Sequence, residues 1–234
     1  LADSLDMTAS RRDTLIVVPR DSAPTDASNT VMKAIAALRG RASVPPVRMK
    51  LTKRVPSAAG LGGGSSDAAG AIRAANRLFK LRLSVDDESA VLAEVGSDTS
   101  FFAYESWAVC TGRGEVVTPI KGRALRRVIV APAYNNPTGE IFRRHASTGD
   151  RRGVDSLVEA LHGRKSIAPH TFNRLEAAAF AFRPELAALK RAMTELPFEA
   201  VLMTGSGSAL FGLCKDANRQ RALLAACRKR RWGR

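Results

Sequence analysis

Aromatic side chains are scarce: they make up 6% of the 234 residues, with two Trp and two Tyr. A stacking platform for single-stranded nucleic acid interleaves aromatic with basic residues, and no stretch here has that pattern. Cysteine and histidine are equally rare, at Cys110, Cys214, Cys227 and His145, His162, His170. They form no CxxC pair and no mixed cluster, which argues against a disulfide framework or a zinc site and fits a reducing cytosol. The cysteines then read as small core or surface residues. No apolar run is long enough to span a bilayer. The opening "LADSLDMTASRRD" is polar and lacks the apolar stretch of a secretory signal. Acidic residues are the minority too, 22 against 37 Lys and Arg, for a net charge of +15.

What remains is an ordinary globular composition, 45% hydrophobic and 25% charged, which excludes a disordered chain. The length suits one large domain or two small ones. Much of the positive charge is spread out, as at Arg11-Arg12, Arg126-Arg127 and Arg143-Arg144, and it clusters only in the tail "CRKRRWGR". Charge of this sign serves nucleic acid or phosphate-rich small molecules equally well, and a solvated tail accounts for the cluster.

Hydrophobic periodicity predicts a strand over 12–18, then a helix capped by Asp26, Ser28 or Asn29 and stopped by Gly40. Val47, Met49 and Leu51 alternate with polar residues and predict a half-exposed strand. Beyond a glycine stretch, Ala68, Ala71, Ile72, Ala75, Leu78 and Phe79 share one helical face. A further helix runs from Ser84 to Gly96, and "SWAVCTGRGEVVTPI" predicts a hairpin around Gly112-Arg113-Gly114. A change of composition at "KGRALR" suggests two domains, 1–122 and 123–234. The second holds the strand "RRVIVAPAY", helices in "VDSLVEALHGR" and "TFNRLEAAAFAFRPELAALKRAM" (broken at Pro184), two strands around a Gly-Ser turn, and a last helix "ANRQRALLAACRKR". Without regular βαβ alternation, the expected class is α+β.

The glycine stretch "VPSAAGLGGGSSDAAGAIRAANRLF" spans 55–79 and leads directly into a helix. Backbone N–H groups at a helix start lack intrahelical partners and sit at the positive end of the dipole. Glycines let that backbone close on a phosphate, and Ser65 and Ser66 add hydroxyls there. The Walker pattern is excluded because no lysine follows the glycines. The dinucleotide fingerprint fails because Ser65 stands where its third glycine belongs. On the residues alone, a phosphate cradle and a ligand-free Gly/Ser loop are equally good accounts.

Pro56-Ser57-Ala58-Ala59-Gly60-Leu61-Gly62-Gly63-Gly64-Ser65-Ser66 resembles the second motif of the GHMP kinases, usually Pro-x-x-x-Gly-Leu-Gly-Ser-Ser-Ala. The extra glycines and the following Asp-Ala-Ala are similar to one branch, the 4-diphosphocytidyl-2-C-methyl-D-erythritol kinases. "VGSDTSFFAYESWAVCTGRGEVVTPI" resembles that branch's Gly-x-Asp-x-x-Phe-Phe and Gly-x-Gly-Glu segments. "LMTGSGSALFGL" resembles the third GHMP motif, and "PTGEIF" a further segment, all in the right order over nearly the whole chain.

The resemblance implies a two-domain GHMP kinase fold, with a ribosomal-protein-like N-terminal domain and a ferredoxin-like C-terminal domain. It implies ATP-dependent phosphorylation of the 2-hydroxyl of 4-diphosphocytidyl-2-C-methyl-D-erythritol, in the non-mevalonate route to isoprenoid precursors. ATP and Mg²⁺ would be the cofactors, the partner a cytidine diphosphate-linked small molecule, with neither nucleic acid nor membrane. The location would be the cytoplasm, and the state a monomer or homodimer. Residues 56–66 would wrap the ATP phosphates. Asp98 matches the catalytic aspartate, which orients the acceptor hydroxyl and takes its proton; a loop or capping role is the commoner fate of a single Asp, but the motif position and the flanking Phe101-Phe102 pair favour the catalytic one. Thr204, Gly205, Ser206, Gly207 and Ser208 would bring a second turn near phosphates and substrate, or form a simple hairpin turn. No metal ligand is assigned, and Asp67 is expected to favour the positive end of the helix as a capping residue.

The chain also departs from the family. The family begins with a Lys-x-Asn-Leu strand and a Gly-Tyr-His segment. "LADSLDM" resembles the stretch just after that segment, so the expectation is that this strand, its lysine and the cytidine-holding residues are missing. The family's Asn-Asp dipeptide appears as Asn173-Arg174. Alternatives at this point are another GHMP small-alcohol kinase, a basic RNA-binding module and a non-catalytic nucleotide sensor.

Overall fold

The computed structural model describes residues 1–145, 153–163 and 165–233. Contacts divide the chain into two compact units. One comprises Leu1–Ser57 and Gly62–Ile120, the other Ala58–Leu61 and Lys121–Arg234.

The first unit is built on a three-stranded sheet of β1 (Ser4–Ala9), β2 (Thr14–Val18) and β3 (Val47–Thr52), in the order β1-β3-β2. β3 pairs antiparallel with β1 and parallel with β2. The parallel pair needs a crossover, supplied by α1 (Thr30–Arg39). Asn29 caps α1 by accepting the Val31 N–H at 2.9 Å, and Gly40 follows its last turn. Val47, Met49 and Leu51 are buried while Arg48 and Lys50 are exposed, as the period of two requires. α2 (Gly63–Leu78) and α3 (Val85–Ala93) cover the core, and Ser84 with Asp87 forms a capping box on α3. The hairpin of β4 (Trp107–Thr111) and β5 (Val116–Ile120) completes the unit. Its core centres on Ile35, Leu38, Met49, Leu51, Ile72 and Leu92.

Two details differ from expectation. Leu78 is 41% exposed and off the buried face of α2, because the helix ends there and Phe79, four residues past Ala75, packs on the core instead. β1 lies in the polar opening, where periodicity predicts no strand, although Leu5 and Met7 face the core between exposed Ser4, Asp6 and Thr8.

The second unit has an antiparallel sheet of β6 (Arg126–Val130), β7 (Ala200–Met203) and β8 (Leu210–Cys214), in the order β6-β8-β7. Helices α4 (Thr138–Arg144), α5 (Asp155–His162), α6 (Glu176–Phe182), α7 (Pro184–Thr194) and α8 (Ala217–Lys229) accompany it. Pro184 opens α7, where its missing N–H costs nothing, and separates it from α6 as expected. Val128, Ile141, Leu186, Met193, Met203 and Leu210 form the core, and Cys214 and Cys227 are buried in it. Among the described residues no helix is long and apolar enough to cross a membrane.

Candidate active site

α2 begins without a side-chain cap. Gly62 occupies the cap position in the left-handed region, φ 68° and ψ 19°. The Ser66 N–H bonds to the Gly62 carbonyl at 2.9 Å, closing the first turn. The N–H groups of Gly63, Gly64 and Ser65 therefore precede any intrahelical acceptor and lie at the positive end of a 16-residue helix. Such a terminus is suited to an anion. A Cβ at Gly62 would fall 2.5 Å from the Phe102 ring, so both conformation and contact demand glycine. The two flanking hydroxyls are engaged locally: Ser66 Oγ donates to the Gly63 carbonyl at 2.8 Å and Ser57 Oγ to the Ser22 carbonyl at 2.9 Å. Pro56 and Ser57 lie in the first unit, as do Gly62, Gly63, Gly64, Ser65 and Ser66.

Asp98 is exposed in the turn that precedes the 3-10 helix Ser100–Ala103. Its carboxylate lies against the β4–β5 turn: a Cβ at Gly114 (φ 119°) would come 2.6 Å from Asp98 Oδ1 and 2.9 Å from the Ser97 carbonyl. Gly114 of the Gly-Arg-Gly-Glu segment thus faces the aspartate turn, whereas Gly112 (φ 69°) faces the Glu115 carboxylate. Phe102, from the same Asp98 motif, is the ring that abuts Gly62. Two motifs far apart in sequence meet at the start of α2.

In the second unit, Ala58, Ala59, Gly60 and Leu61 lie against the 204–208 turn. Thr204 Oγ1 donates to the Gly60 carbonyl at 2.8 Å, and the Ala209 N–H to the Ala59 carbonyl at 3.0 Å. A Cβ at Gly60 (φ 72°) would lie 2.2 Å from the Thr204 carbonyl. The turn is more than a hairpin connection. Asn173 Nδ2 donates to the carbonyls of Met203 and Gly205, both at 2.8 Å. Buried Asn136 donates to the Ser206 carbonyl at 3.0 Å and accepts from Arg183 Nε at 3.3 Å. Thr138 Oγ1 pairs with Ser206 Oγ at 3.0 Å, and Ser208 Oγ donates to the Tyr134 carbonyl. The Asn173-Arg174 departure therefore keeps the asparagine that holds this turn.

Asp67 corrects an expectation outright. It is the fifth residue of α2, beyond the first turn, and its side chain is 5% exposed. It accepts from Lys53 Nζ at 2.6 Å, and the same ammonium pairs with Asp3. Asp3 also accepts the backbone N–H groups of Arg54 and, at 2.8 Å, Val55. Burial pushes Lys53 down, but its two carboxylates outweigh that and hold it above its usual range. Burial also pushes Asp3 up, yet the Arg54, Lys53 and Val55 donors together keep it below its usual value. Asp67 has one ammonium to share and no backbone donor. Burial, with a lesser push from the charge of Asp3, raises it to about 6 against the pull of Lys53. Sequence reasoning missed Lys53 and Asp3, since a lysine in "TKRVP" looks like one more solvated charge.

Family models describe the same two halves. The GHMP kinase N-terminal domain matches residues 29–106 and the GHMP kinase C-terminal domain matches residues 151–232. A 4-diphosphocytidyl-2-C-methyl-D-erythritol kinase from Bacillus pumilus (strain SAFR-032) is 37% identical over 219 residues, covering 91% of this chain and 76% of that protein.

The chain belongs to the GHMP kinases.

A second relative of this GHMP kinase, of the same name and from Geobacillus thermodenitrificans (strain NG80-2), is 38% identical, with 84% of this chain and 69% of the relative covered. Among solved structures, a 4-(cytidine 5'-diphospho)-2C-methyl-D-erythritol kinase superposes with a TM-score of 0.81 at 31% identity, over 99% of this chain and 83% of that one. A homoserine kinase from Cytophaga hutchinsonii reaches a TM-score of 0.80 at 19% identity over 96% of this chain and 79% of that one, which shows the shared fold alone. The two-domain α+β architecture of this GHMP kinase is thereby shown.

Proposed function

We propose that this GHMP kinase transfers the γ-phosphoryl group of ATP to the 2-hydroxyl of 4-diphosphocytidyl-2-C-methyl-D-erythritol. The observation that carries the reading is the start of α2: unpartnered N–H groups of Gly63, Gly64 and Ser65 behind Gly62, with Phe102 of the Asp98 motif packed on Gly62. Phosphoryl transfer asks the protein for positioning and charge stabilisation rather than covalent chemistry. Backbone N–H groups at a helix terminus supply both for a phosphate chain. The positive φ of Gly62 and its contact with the Phe102 ring fix where these N–H groups begin.

The exposed carboxylate of Asp98 would accept the proton of the acceptor hydroxyl as its oxygen bonds to phosphorus and the bond to ADP breaks. The 204–208 turn, fixed by Asn136 and Asn173, would offer further backbone N–H groups to phosphate or substrate. Mg²⁺ would arrive on the nucleotide, where it would neutralise phosphate charge. The net charge of +15 favours two polyanionic ligands without invoking nucleic acid. Relatives named for this substrate at 37% and 38% identity support the choice over other GHMP alcohols, whose kinases share only the fold.

The test is ADP release from ATP with 4-diphosphocytidyl-2-C-methyl-D-erythritol, homoserine and mevalonate in parallel, with Asp98→Ala alongside. Turnover should be confined to the first alcohol, and Asp98→Ala should lower kcat by about 10²- to 10⁴-fold while ATP still binds. Turnover on another alcohol would move the substrate assignment, and an unaffected Asp98→Ala would remove the proposed base.

A further inference from the structure

We propose that Lys53, Asp3 and Asp67 are positioning residues that set the first turns of α2 for nucleotide phosphate, an inference that rests on reading the α2 terminus as the phosphate site. One ammonium joins three elements at their ends. Lys53 follows β3 directly, Asp67 stands on the second turn of α2, and Asp3 precedes β1. Asp3 also takes the N–H groups of Arg54 and Val55, fixing the chain where it leaves β3 for the glycine loop. A Cβ on Gly63 would lie 3.3 Å from Lys53 Nζ, so the ammonium rests against the first residue of α2, whose N–H is one of the unpartnered three. All three side chains are 4 to 5% exposed.

Stability alone does not account for this arrangement. A cation beside the positive end of a helix is repelled by the dipole, and the cluster carries two carboxylates for one ammonium. Apolar side chains of similar volume would usually hold such a site as well or better. What the charges add is direction. Lys53 is pulled from two sides and cannot swing away from Gly63, and Asp67 cannot leave Lys53 without stranding a buried charge. The charged groups that bear on Asp67 are Lys53, from the end of β3, and Asp3, ahead of β1. The pair is intact when Asp67 is ionised, so the backbone at Gly63 is held best above the point at which Asp67 takes up a proton.

The experiment compares the chain with Asp67→Asn, a variant of equal volume. It reads ATP dissociation constants from pH 5 to 8, melting temperature, and steady-state kinetics with ATP and the alcohol. Asp67→Asn should melt no lower at pH 7 and should raise the ATP Kd and KM about tenfold. Its kcat at saturating ATP should stay within about twofold, because a ground-state positioning contact moves KM rather than kcat. The unaltered chain should lose ATP affinity between pH 7 and 5 more steeply than Asp67→Asn, the difference cancelling titration of the nucleotide itself. Equal ATP affinity and equal pH profiles in the two proteins would overturn the positioning role alone. No ATP binding by the unaltered chain would overturn the phosphate-site reading and this inference with it.

Discussion

At the start of α2 a glycine backbone rests on a buried ammonium and two carboxylates, whereas the 204–208 turn is gripped by neutral amides and hydroxyls. Both arrangements immobilise backbone of glycine-dependent geometry, with φ values of 68° at Gly62 and 84° at Gly207. They differ in what disturbs them. An amide clamp such as Asn136 keeps its donors and acceptors over the whole pH range in which the protein folds. A cluster with one carboxylate in excess changes its charge near neutrality, because one ammonium cannot fully offset two buried acids. Backbone can be held by either route, and the two routes respond differently to mutation and to acid.

Removing the central group of each clamp should separate them most. Lys53→Met leaves two carboxylates in a site that is almost dry, and unfolding free energy should fall by about 3–5 kcal/mol. Asn136→Ala strands the Ser206 carbonyl and loses the bond from Arg183, for a smaller loss of about 1–3 kcal/mol. Denaturant unfolding at pH 7 measures both. If Asn136→Ala proves the costlier change, the ranking of charged over neutral clamp is wrong.

A subtler contrast lies in pH. The carboxyl of Asp67 is raised from its ordinary value of 3.8 to about 6, so the fold binds this proton more tightly than the unfolded chain. Its contribution to stability is fully present below 3.8 and is lost as pH rises through about 6. Asp3 works the other way, with stability present above 3.8 and lost as pH falls, because its value is lowered in the fold. Lys53 is raised above 10.5 and changes nothing near neutrality. Unfolding measured from pH 4 to 7 should therefore show Asp67→Asn gaining on the unaltered chain as pH rises. Asn136→Ala should run parallel to the unaltered chain over the same range. A parallel line for Asp67→Asn would show that Asp67 does not titrate in this window.

Much of this was legible in the residues. β3 showed its period of two, α1 its asparagine cap and glycine stop, α3 its Ser84 start, and α7 the proline that opens it. β1 was hidden because an edge strand with one solvated face carries few apolar residues, here Leu5 and Met7. α4 has only seven residues, too few for a helical period to stand out. The glycine motif stood out by its composition, and Asp98 only through the resemblance of its Gly-x-Asp-x-x-Phe-Phe segment to the family. The groups that hold them did not, since Asp3, Lys53 and Asp67 meet only once the sheet and α2 have formed. Asn136 and Asn173 likewise come to the 204–208 turn from separate elements, and nothing in their own neighbourhoods announces a carbonyl to be held.

The most direct measurement is amide NMR of the ¹⁵N-labelled chain during titration with ATP. The N–H resonances of Gly63, Gly64 and Ser65 should move downfield together and saturably as phosphate oxygens accept their protons. Saturable ATP binding that leaves these three resonances in place would contradict the assignment of the α2 terminus as the phosphate site.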